Sequence, residues 1–131
     1  MIAFDTNFLV RLAVADDAAQ VEIVKGLVAE NSVFISNTVL LETEWVLRSR
    51  YKETPVAIHA FFYAVLASEQ TSFENAEAIA QALDWYELGA DFADALHLAA
   101  CGNTVLHTFD QNFCRVARKA GRTPQIRIWQ V

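Results

Sequence analysis

The residues that could do chemistry here are carboxylates. Asp5 follows a short apolar opening segment, and Asp110 follows the similar segment Val105–Phe109. Glu42 falls in an apolar helical stretch that starts just after Val33–Ser36. Asp91 and Asp94 are three apart, so on a helix they share one face. Clustered carboxylates repel one another unless a cation joins them, and Mg²⁺ and Mn²⁺ prefer such hard oxygen ligands. Two such ions roughly 3.5–4 Å apart can activate water and stabilise the leaving oxygen of a phosphodiester. This chemistry requires no His, Cys or Ser nucleophile.

Those acids need elements to carry them. Four segments read as strands: 1–4, 33–36, 105–109 and 126–129. Helical patterns fill the intervals, at 16–30, 38–51, 55–68, 73–88, 91–101 and 112–120. Asp16 or Asp17 can cap the first, and Thr54-Pro55 opens the third. Gly89, Gly102 and Gly121 stop the last three. Alternating strands and helices predict an α/β domain with a largely parallel central sheet of four to five strands. The long helical stretch between the second and third strands predicts a helical hairpin beside it. In open α/β sheets the site lies at the carboxyl ends of the strands, where Asp5 and Asp110 stand.

Each acid has a plainer reading. Asp5 in Asp-Thr-Asn suits a turn, and Asp91 and Asp110 suit helix N-caps. Asp94 is harder to explain away inside Phe92-Ala93-Asp94-Ala95-Leu96. Glu44 has Arg48 four residues on, the spacing of a surface ion pair. Glu42 has no such partner and is surrounded in sequence by apolar residues, so it is the preferred ligand of the two.

The chain has 131 residues, 54% of them hydrophobic, which suits a single domain with one core. Its formal charge of −6 is unusual for a nucleic-acid binder, unless the acids sit where cations invert the local sign. Two cysteines make neither a disulfide framework nor a zinc motif, and a reducing cytoplasm is expected. No segment reads as a membrane span. No Gly-rich phosphate loop supports dinucleotide binding. A phosphoryl-transfer receiver or phosphatase would need a paired or alternating Asp signature at the first strand, and it is missing.

Taken in order, four segments resemble the acidic motifs of PIN domains: Asp5-Thr6-Asn7, Leu40-Leu41-Glu42-Thr43-Glu44-Trp45, Gly89-Ala90-Asp91-Phe92-Ala93-Asp94-Ala95-Leu96-His97 and Thr108-Phe109-Asp110-Gln111-Asn112-Phe113. The resemblance runs over nearly the whole chain. In length and detail it is closest to VapC-type toxins of bacterial toxin–antitoxin pairs. It implies a single PIN-like three-layer domain over 1–131 and a Mg²⁺- or Mn²⁺-dependent endoribonuclease. It implies Asp5, Glu42, Asp94 and Asp110 as catalytic and metal-binding acids, with Asp91 as a further ligand. It also implies a homodimer and neutralisation by a small antitoxin. A catalytically silent PIN-like module that binds RNA or protein is the alternative, and it has no need of clustered acids.

Supporting roles are expected for Thr6 and Asn7, in the turn or orienting Asp5, and for Thr108, hydrogen-bonded to a ligand carboxylate. Arg11, Arg115, Arg118 and Lys119, with Arg122, are candidates for RNA phosphate contacts, and a solvated helix face is the competing reading. His97, one turn past Asp94, reads as structural. Phe61, Phe62 and Tyr63 in succession on a nearly all-apolar helix cannot all face one core, which points to a protein contact.

Overall fold

The computed structural model describes residues 1–121 and 125–130. The chain divides into two compact units, Met1–Ala76 and Glu77–Val131.

The first unit is built on three parallel strands in the order β1 (Ile2–Ala3), β2 (Val33–Ile35), β3 (Thr71–Phe73). Val33 stands beside Ile2 on one side and Thr71 on the other. Helices α1 (Thr6–Ala13) and α2 (Ala18–Glu30) link β1 to β2; α3 (Asn37–Ser49) and α4 (Pro55–Ala67) link β2 to β3. Each helix starts at a residue whose side-chain oxygen accepts a first-turn N–H that has no helical acceptor. Asp5 accepts from Phe8 and Asp17 from Gln20, both at 3.1 Å. Ser36 accepts from Val39 at 3.3 Å and Thr54 from Ala57 at 3.2 Å. Helices α3 and α4 touch, forming the expected hairpin. Leu9, Val24, Ile35, Leu40, Leu47, Ile58 and Phe62 are buried.

Two elements were not anticipated. The first, α1, is only eight residues long. The second, β3, is spelled Thr-Ser-Phe, and its last residue, Phe73, is where the expected helix over 73–88 would start. That helix, α5, spans Ala76–Glu87.

The second unit holds the rest of α5, then α6 (Phe92–Ala100), β4 (Leu106–Thr108), α7 (Arg115–Ala120) and β5 (Ile126–Ile128). Strands β4 and β5 pair in parallel, with His107 opposite Arg127. All strand pairs in the described residues are thus parallel, as a three-stranded and a two-stranded ladder. Trp85, Phe92, Leu96 and Leu98 are buried, and Tyr86 meets Phe92 edge to face at 5.4 Å. Gly89, at φ +106, closes α5. Its N–H donates to the Tyr86 carbonyl and the Ala90 N–H reaches back to Trp85, both at 3.0 Å. This is a Schellman closure, which needs a positive φ at the glycine and delivers the chain directly to Asp91. In the described residues no helix is long and apolar enough to cross a membrane.

Candidate active site

In the first unit, Asp5 is exposed, and its carboxylate caps α1 while standing just past the carboxyl end of β1. Glu42 lies on α3, whose N-cap follows directly on β2. Because β1 and β2 run parallel, both acids belong to elements leaving the same edge of the sheet. Thr6 is buried as the first residue of α1, and Asn7 is exposed beside it.

The surroundings of Glu42 and Glu44 are the reverse of those expected. Glu42 is exposed, whereas Glu44 is 4% exposed. The buried face of α3 is Leu40, Thr43, Glu44 and Leu47, which is the i, i+3, i+4, i+7 stripe of a packed helix. Glu44 takes two hydrogen bonds from the Arg48 guanidinium, at 2.8 and 3.3 Å, so its charge is matched where it lies. The ion pair is present, but its carboxylate is not on the surface.

Arg11 also departs from expectation. Its guanidinium donates to the Tyr51 hydroxyl at 2.6 Å and pairs with Asp16. A group held on two sides and only 14% exposed is not a free phosphate contact, so Arg11 is reassigned to bracing α1.

In the second unit, three acids come close enough to sense one another. Asp91 caps α6, accepting the Asp94 N–H at 3.0 Å. Asp94 is half-buried, in the first turn of the helix. Asp110 follows β4, and its carboxylate accepts the Asn112 N–H at 2.9 Å. Burial raises the Asp94 pKa above its ordinary value, the charges of Asp91 and Asp110 raise it further, and nearby His97 opposes them. Thr108 does not bond a ligand carboxylate; its hydroxyl oxygen accepts the Asp110 N–H at 3.0 Å and so fixes that acid's backbone.

Cys114, four residues past Asp110, is buried at the start of α7. Burial pushes its thiol up to about 12, with Asp94 and Asp91 adding to the effect, Arg118 opposing it, and Asp110 adding again. Arg115, Arg118 and Lys119 line one open groove. Arg115 bonds the Asn112 side chain, and Arg118 donates to the Gln111 carbonyl at 3.1 Å, so two of the three are tied to the turn after Asp110. Arg122 lies outside the described residues.

The donor set suits a hard divalent cation. Carboxylate oxygens are the preferred ligands, and a cation would offset both the burial that mainly raises Asp94 and the repulsion from Asp91 and Asp110 that adds to it. No group of three or more His, Cys, Asp or Glu forms a ready-made cage in the described residues. Mg²⁺ does not demand one, because it is commonly held by one or two carboxylates, water and substrate phosphate.

Parallel strands linked by helices, with Asp5 and Asp110 just past the carboxyl ends of β1 and β4, define the class, an α/β protein. The chain belongs to the PIN domain family, whose model matches residues 2–119. Among solved structures it is similar to Mycobacterium tuberculosis VapC20, described as a sarcin–ricin loop cleaving toxin, at 28% identity over 97% of this chain and 99% of that one, with a TM-score of 0.45. No curated protein matches it.

Proposed function

We propose that the protein is a metal-dependent endoribonuclease of the VapC toxin type, working in the cytoplasm as a single domain made of both units. Membership of the PIN family supports a nuclease reading. The observation that carries the proposal is Asp94, which burial first, and the charges of Asp91 and Asp110 next, hold above its ordinary pKa, with no basic residue hydrogen-bonded to it among the described residues. Such an arrangement opposes folding and makes sense where a cation is expected.

Asp5, Glu42, Asp94 and Asp110 are assigned as the catalytic acids, with Asp91 as a further ligand. When bound, Mg²⁺ or Mn²⁺ supplies activation of water and stabilisation of the leaving oxygen. The chain's own residues prepare for this. Asp91 rigidifies the first turn of α6 and so holds Asp94 in place. Thr108 does the same for Asp110 through its backbone. Arg115, Arg118 and Lys119 take the RNA backbone, with a carboxylate accepting the proton of the attacking water. A homodimer and a small antitoxin belong to the same reading. Val56 and Tyr63 of α4, 80% and 62% exposed, supply apolar surface for such a contact.

The test is incubation of purified protein with structured RNA, with and without Mg²⁺ or Mn²⁺, beside Asp94→Asn. Metal-dependent cleavage is expected, falling by roughly a hundredfold or more in the variant. Absence of both cleavage and metal binding by calorimetry would sink the proposal in favour of a silent binding module.

A further inference from the structure

The exposed face of the β4–β5 ladder has the wrong composition for a surface that only meets water. Side chains alternate across the two strands. Leu106, Thr108, Ile126 and Ile128 are half-buried on one side. The exposed side carries Val105, His107 and Phe109 from β4 and its ends, and Gln125, Arg127 and Trp129 from β5 and its ends. A solvent-facing strand is normally polar, yet Phe109 is 70% and Trp129 44% exposed.

These side chains are organised. The Trp129 indole N–H donates to His107 Nδ1 at 2.8 Å. The ring centroids are 5.9 Å apart and the planes 21° apart. A bond between ring atoms at that separation places the rings edge to edge, so together they form one wide, nearly flat surface. The Arg127 guanidinium, itself planar, lies 4.8 Å from the indole centroid. Gln111, next to Asp110, donates to the Trp129 carbonyl at 3.3 Å, which ties the flat surface to the turn that carries the acid.

Charge says what this surface meets. Beyond Asp110 the chain has no Asp or Glu and five basic residues, Arg115, Arg118, Lys119, Arg122 and Arg127; the other five basic residues are set against all 16 acids. A basic segment bearing flat, exposed rings is the composition that binds unpaired nucleotides, bases stacking on the rings and phosphates meeting the cations. We propose that His107, Phe109, Arg127 and Trp129 form a stacking platform for single-stranded RNA flanking the bond to be cut. The platform rests on the nuclease reading above and adds to it: it selects unpaired over paired RNA.

The test is binding of a fluorescein-labelled single-stranded RNA, and of the same strand in a full duplex, in an Asp5→Asn background with Mg²⁺. Trp129→Ala and Phe109→Ala are each expected to weaken single-strand binding by about tenfold and duplex binding by less than about twofold. Trp129→Phe keeps a stacking ring and should recover most of the loss. Arg127→Ala is expected to lower the slope of log affinity against log salt by about one. Phe109 is so exposed that its removal cannot be blamed on misfolding. Unchanged single-strand affinity in both alanine variants, while the parent enzyme still cuts RNA, would overturn the platform and leave the nuclease intact. A shift from dimer to monomer by light scattering with RNA affinity unchanged would overturn it in favour of a contact between copies. If the parent neither binds nor cuts RNA, platform and nuclease reading fall together.

Discussion

The two units treat their acids differently. In Met1–Ala76, Asp5 and Glu42 are exposed, and the one buried carboxylate, Glu44, is neutralised by Arg48. In Glu77–Val131, Asp94 is half-buried beside Asp91 and Asp110, with His97 opposing their effect. Glu44, buried in the packed face of α3, has a basic partner; Asp94, half-buried in α6, has acids beside it instead, and on the reading proposed above that place is kept for a cation.

The largest effect that would break this distinction comes from α3. Glu42→Gln is expected to lower RNA cleavage by roughly a hundredfold or more while leaving the unfolding free energy within about 0.5 kcal/mol. Glu44→Gln should do the opposite: it costs about 1–2 kcal/mol, between an exposed pair and a buried one because Arg48 is itself partly exposed, and it spares the chemistry. Denaturant unfolding and a cleavage assay on both variants decide the matter. Equal losses of activity at equal stability would erase the distinction.

Thiol labelling sharpens it. Cys101 is partly accessible, whereas Cys114 is buried and held at about 12 by burial and the neighbouring acids. At neutral pH an alkylating reagent should modify Cys101 at least about tenfold faster, with Cys114 reacting only on unfolding. Peptide mapping after brief exposure reads this directly, and rapid modification of Cys114 would mean that the acid cluster is looser than described.

The smallest effect is on stability against pH. A carboxyl whose folded pKa is raised opposes folding in its charged form, and that cost fades as pH falls through the folded value toward the ordinary 3.8. Asp94→Asn should therefore raise the melting temperature of metal-free protein at pH 7, with the gain shrinking as the buffer is acidified. Mg²⁺ should stabilise the wild type more than the variant. A variant that melts lower than wild type at neutral pH would contradict the crowding.

Much of this was legible in the sequence, for identifiable reasons. Val33-Phe34-Ile35 and Ile126-Arg127-Ile128 announce their strands by β-branched residues, and Gly89 and Gly121 mark helix ends with positive φ. Thr71-Ser72-Phe73 does not announce itself, because what makes it a strand is pairing with β2, far away in sequence. The Glu42 and Glu44 reversal had a visible clue. Residues 40, 43, 44 and 47 already trace a buried stripe, but attention to the Glu44–Arg48 spacing alone suggested a surface pair. Arg11 was beyond reach, since its partner Tyr51 is 40 residues away and met only in the fold.

The α3 ion pair has a consequence for how the chain can change over time. Once Arg48 is lost, Glu44 is a buried charge short of the two hydrogen bonds that guanidinium gave it, and a later apolar replacement at 44 becomes favourable. Positions 44 and 48 therefore drift as a couple, through an intermediate less fit than either end. Position 42, two residues away on the open side, is free of that coupling and, on the proposed reading, answers to the reaction.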